Sequence, residues 1–129
     1  MSQRNTLLSI ALGIGFWAAG VVLVRLTGDA LLRPNQPGLI GLFLAALPIG
    51  WITAYIIKQV LGVGWHELTK PLALGTTAAT MLDGLMFNWN HGLYHAELEV
   101  AFHGAAFILW AAGVGMAIAF WYEYRYKQA

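Results

Sequence analysis

Apolar residues run almost unbroken through four stretches of this chain, at about positions 7–26, 38–58, 71–94 and 100–122. Turn-forming residues separate them: Gly28, Pro34, Asn35 and Pro37 after the first, Gly62 and Gly64 before Pro71, and residues 95–99 before the fourth. A hydrocarbon core about 30 Å thick is crossed by about 20 apolar residues in a helix, which satisfies its own backbone hydrogen bonds there. The pattern predicts an all-α, polytopic membrane protein: one membrane domain over residues 1–129, with four transmembrane helices in a bundle. The first stretch reads as a retained helix. It is longer than the apolar region of a signal peptide, and Trp17-Ala18-Ala19-Gly20 makes a poor cleavage site.

Composition reinforces that reading. Apolar residues make up 59% of the chain and charged ones only 10%, against about 25% charged in an ordinary soluble domain. So few charges cannot clothe a water-facing surface, but they suit a lipid-facing one. A net charge of +1 without clustered Lys and Arg excludes nucleic acid as a partner. With no cysteine, disulfides, thiolate metal sites and Cys nucleophiles are excluded as well. The chain has no Gly-rich phosphate loop, no Gly-x-Ser-x-Gly elbow and no His-Glu-x-x-His, and it is expected not to be an enzyme.

Basic residues collect on the cytoplasmic side of a membrane. Arg4, Lys58, Lys70, Arg125 and Lys127 fall on the side of the termini and second loop, and Arg25 and Arg33 on the other. Both termini are therefore predicted in the cytoplasm, in a multi-pass protein of the cell inner (plasma) membrane. Trp121, Tyr122, Tyr124 and Tyr126 would form the inner aromatic belt, with Trp89 and Tyr94 near the outer interface.

In lipid, helices approach closely through small residues. Ala11, Gly15 and Ala19 line one strip of the first helix, and Ala111, Gly115 and Ala119 line another on the fourth. Such strips serve either a dimer seam or contacts inside one bundle. Pro48 is expected to kink the second helix.

Asp83 carries the most chemical information. A charge at mid-membrane costs about 2.5–3.5 kcal/mol, so it should face the interior and have a partner. Thr76, Thr80, Asp83, Gly84, Phe87, Asn90 and His91 share one side of the third helix, and His95 joins them if the helix continues. Arg25, snorkelling inward from the end of the first helix, is the predicted partner, either as a structural ion pair or as part of a proton or ion relay. His91, His95 and His103, with Glu97 and Glu99 nearby, admit a metal site, and the same histidines admit haem or pigment ligation. The sequence names no cofactor.

Several segments together resemble a known family: Arg25-Leu26-Thr27-Gly28 with Pro34, Leu47-Pro48-Ile49-Gly50-Trp51, Met81-Leu82-Asp83-Gly84 with Tyr94, and Gly104-Ala105-Ala106 through Leu109-Trp110. The chain is similar, over nearly its whole length, to a family of small bacterial four-helix membrane proteins catalogued as a domain of unknown function. The resemblance implies a four-helix architecture, draws attention to Arg25 and Asp83, and implies no activity. The His- and Glu-rich third loop departs from that family's pattern. The first functional reading is an accessory or assembly subunit of a larger membrane complex, or a homo-oligomer, in the lipid bilayer. The alternatives are a small proton- or ion-coupled transporter using Asp83, and a haem- or pigment-binding subunit held by histidine.

Overall fold

The computed structural model describes all 129 residues. It is entirely helical: α1 (Gln3–Leu31), α2 (Pro37–Leu61), α3 (Thr69–Trp89) and α4 (Leu98–Gln128), with single 3-10 turns at Trp65–Glu67 and His91–Leu93. Three of the helices, α1, α2 and α4, are long and apolar enough to cross a membrane. α3 has 21 residues, and Thr76, Thr77, Thr80 and Asp83 dilute its apolar character.

Local chemistry sets the helix ends. Ser2 caps α1 by accepting the Asn5 backbone N–H at 3.1 Å. Pro37 opens α2, where its missing N–H costs nothing. Gly62 closes α2 in the left-handed conformation (φ 67°), which glycine adopts without strain. α2 continues through Pro48. α3 stops at Trp89, short of the predicted Tyr94, because Asn90 leaves helical geometry at φ −150° and a separate turn follows.

The helices pack chiefly as two pairs, α1 with α3, which makes the most extensive contact, and α2 with α4. A Cβ on Gly13 would overlap the backbone carbonyl of Gly75, and one on Gly75 would lie 3.1 Å from the Ser9 carbonyl oxygen. Only glycine permits that approach. Ser9, fully buried there, satisfies its hydroxyl on the Asn5 carbonyl at 2.7 Å. In the other pair, a Cβ on Gly50 of α2 would sit 3.0 Å from Ile118 of α4. Phe43 packs edge-on against Phe107, and the Trp110 indole donates to the Phe43 carbonyl at 2.8 Å. Two apolar cores result. One gathers Val21, Val24, Leu42, Tyr94, Val100 and Phe107; the other gathers Ala54, Ile57, Leu68, Leu72, Val114 and Ile118.

Candidate functional site

Between the two cores the helices leave a cavity of about 250 Å³, to which all four contribute. Its wall is mostly apolar, with Phe16 and Trp17 from α1, Ile49 from α2, Thr76, Thr80 and Asp83 from α3, and Phe107 and Ala111 from α4. Asp83 is the sole ionisable side chain in the lining, and it is only 9% exposed. The interior-facing stripe expected on α3 is thus present in part. Thr76, Thr80 and Asp83 share the cavity, whereas Asn90 is exposed beyond the helix and His91 sits in the following turn.

The early end of α3 determines what meets Asp83. The chain reverses through His91–Leu93 and carries Tyr94 back over the helix it has just left. Tyr94 is fully buried and stacks on Phe87, with ring centroids 3.8 Å apart. Its hydroxyl donates to Asp83 Oδ1 at 2.6 Å and accepts the Trp17 indole N–H at 3.0 Å. Trp17, Tyr94 and Asp83 therefore form a one-way chain of donors ending on the carboxylate. Such a charge-assisted bond is among the stronger kinds. Asp83 Oδ2 accepts no hydrogen bond from the protein, yet it is not sealed away from free space.

Arg25 does not pair with Asp83. Its guanidinium donates to the Leu93 carbonyl at 3.1 Å, which fixes the turn that carries Tyr94. α1 continues past the predicted end to Leu31, so Arg25 lies within the helix and reaches the turn rather than the cavity. The predicted ion pair is replaced by a neutral phenol. Tyr94 itself belongs to the core, whereas Trp89 is exposed.

His91, His95 and His103 do not converge. No three His, Asp or Glu side chains are arranged to hold a metal ion, because His91 and His95 follow the end of α3 and lose the shared helix face. Instead His95 joins an ionic clasp. Arg33 grips Glu97 with two bonds, at 2.8 and 2.9 Å, and Asp29 with a third at 2.9 Å. His95 Nε2 donates to Asp29 at 2.9 Å, and its Nδ1 accepts the Glu97 backbone N–H at 3.0 Å. His91 Nδ1 lies 3.2 Å from the His95 carbonyl oxygen. His103, on α4, meets the edge of Phe102. Hydrogen bonds from Arg33 hold the Asp29 and Glu97 carboxyls below their ordinary range, and these carboxylates in turn raise the Arg33 guanidinium.

The two small-residue strips have opposite fates. Ala119 is fully buried and Gly115 meets Leu72, so the α4 strip serves contact between helices. Ala11, Gly15 and Ala19 on α1 are exposed, and a Cβ on Gly15 would meet nothing within 4 Å. The residues of the site that sequence reasoning missed are Trp17, assigned no role, and Tyr94, assigned to an interface. The one available signal for Tyr94 was an aromatic hydroxyl in a turn closely following an intramembrane acid. No protein-family model, no curated protein and no solved structure matches the chain.

Proposed function

We propose that this chain is a small non-enzymatic protein of the inner (plasma) membrane that crosses the bilayer four times as a helix bundle with both termini cytoplasmic. Its function is to take up a small solute, as a proton- or ion-coupled carrier, in the cavity that Asp83 anchors. One observation carries this reading: an almost fully buried carboxylate whose second oxygen has no protein partner and which lines a cavity between all four helices. A charge so placed is costly unless it is neutralised by a proton or a bound cation, and groups of this kind mark ion and substrate paths. The 21 residues of α3 extend about 31 Å, enough for the hydrocarbon core. Thr76, Thr80 and Asp83 turn toward the cavity between the helices. The excess of Lys and Arg at the end that holds both termini supports the orientation.

The test is chemical. Dicyclohexylcarbodiimide, an apolar reagent, adds to carboxylic acids within membranes. Intact mass of the protein in nanodiscs should rise by one reagent per chain, peptide mapping should locate the adduct at Asp83, and Asp83→Asn should remove it. Labelling elsewhere, or none, would remove the cavity from consideration as a binding site.

A second reading, an assembly subunit or homo-oligomer, is favoured by the exposed Ala11–Gly15–Ala19 strip. Native mass spectrometry of wild type and Gly15→Leu decides it: a higher-order species that Gly15→Leu dissociates supports this reading, and a monomer in both removes it.

A further inference from the structure

We infer that the cavity selects a small organic cation: a primary or secondary ammonium group on a body of about one aromatic ring. The inference rests on the cavity reading above and adds the chemical class of the solute.

The polar groups nearest Asp83 are arranged to accept, while the Thr53 and Thr76 hydroxyls elsewhere in the lining make no hydrogen bond within the protein. The Tyr94 hydroxyl spends its proton on Asp83 Oδ1, and the Trp17 N–H is spent on Tyr94. Thr80 directs its hydroxyl proton to the Thr76 carbonyl at 2.8 Å and is left with lone pairs. Arg25, the cation nearest in the sequence-based picture, is committed to the Leu93 carbonyl, and no Lys, Arg or His lines the cavity. The one charge in the lining is negative, nine-tenths buried, and has an oxygen without a protein partner. A ligand that engages the free oxygen of Asp83 must therefore bring a donor, and a positive charge is worth most to it, because the surroundings are apolar. An anion would meet Asp83 with no countercharge.

The rest of the wall suits the same class. Phe16, Trp17 and Phe107 line the cavity together, and aromatic faces attract an ammonium group beside a carboxylate. Size sets the upper bound. A benzene-sized ligand fits an apolar cavity of about 150 Å³, so about 250 Å³ takes a single ring with a short alkylammonium arm.

The probes are 2-phenylethylamine, cationic at neutral pH, and the nearly isosteric neutral 2-phenylethanol. Their binding is measured by calorimetry in nanodiscs of zwitterionic lipid, with empty discs subtracted. The cation should bind at least about tenfold tighter than the alcohol, as expected for a hydrogen bond to a charged acceptor. Asp83→Asn should abolish that preference while leaving the alcohol's affinity nearly unchanged. Ala79→Leu, which fills the cavity from α3 and keeps Asp83, should weaken both probes and serves as the second variant if Asp83→Asn does not fold. Equal affinity for the two probes, or a preference that survives Asp83→Asn, would overturn the cation assignment and leave the cavity reading standing. If neither probe binds saturably while carbodiimide still labels Asp83, the ligand class is wrong. If labelling fails too, the cavity reading falls with it.

Discussion

Along the same pair of helices, α1 and α3, the molecule passes from its tightest contact to an open cavity. At Gly13 and Gly75 the two backbones touch, with no room for a methyl group. About one turn further along α1, Trp17 faces a space bounded by Thr80 and Asp83. The two glycines hold the helices together and also line the cavity, so the crossing is part of the wall of the space that Asp83 faces. A rigid crossing beside an incompletely filled space is how a protein keeps an unpartnered carboxylate oxygen without collapsing onto it. Packing is otherwise dense enough that such a gap would be closed by neighbouring side chains.

The strongest way to break this contrast is to attack the crossing. Gly13→Ala forces a Cβ onto the Gly75 carbonyl and should destabilise the protein by about 3 kcal/mol or more, with Gly13→Leu preventing folding. Gly15→Ala, two residues away on the open face, should change stability by no more than about 0.5 kcal/mol. Thermal unfolding in one detergent compares all three. Equal losses at Gly13 and Gly15 would mean that the crossing is not where the helices are held.

A smaller effect is expected at the open level. Tyr94→Phe keeps the stack on Phe87 but leaves the Trp17 N–H and Asp83 Oδ1 without their partner. Stability should fall by about 1–3 kcal/mol, the usual cost of stranding buried polar groups. Trp17→Phe in the Tyr94→Phe background should then cost little more, since the N–H it removes has already lost its acceptor. Fully additive losses would show that the three side chains do not act as a chain.

The smallest effect belongs to the ionic clasp, which touches neither level. The Asp29 and Glu97 carboxyls lie below their ordinary values of 3.8 and 4.5, held there first by hydrogen bonds from Arg33. A depressed carboxyl contributes stability that is complete above the unfolded value and is lost as pH falls through the folded one. Amide exchange in residues 90–99, taken relative to the intrinsic rate at each pH, should therefore quicken only in the acid range below those ordinary values. Arg33→Gln should produce the same quickening at neutral pH. Because these groups are exposed, added salt should weaken the clasp at any pH. An acid response that begins near neutrality would show that these carboxylates do not hold the clasp.

The positions of the helices were legible because lipid allows few alternatives to long apolar runs. Asp83 stood out for the same reason: an acid in such a run must be enclosed or paired. Its partner was not legible. Choosing Arg25 assumed that opposite charges at similar depth would meet, whereas the end of α3 at Trp89 sends Tyr94 to the carboxylate first. Residue spacing also left the packing face of α1 open. Ser9 and Gly13 follow the same four-residue spacing as Ala11, Gly15 and Ala19, and only the partner helix, with Gly75, selects between them. His91, His95 and His103 looked like a ligand set because i, i+4 spacing assumes a continuous helix, which Asn90 interrupts. The cavity itself had no sequence signal, since a void is defined by what four separate segments fail to fill.

The absence of native cysteine allows the central claim, a solute-accessible cavity biased by Asp83, to be measured directly. A single cysteine at Thr80, inside the cavity and one turn from Asp83, is exposed in nanodiscs to two thiol reagents of similar size, cationic aminoethyl and anionic sulfonatoethyl methanethiosulfonate. Thr80→Cys should react, the cationic reagent should be at least about tenfold faster as expected beside a buried carboxylate, and Asp83→Asn should erase that difference. A thiol at position 80 that resists both reagents, or that reacts with both at one rate in the presence of Asp83, would contradict the account.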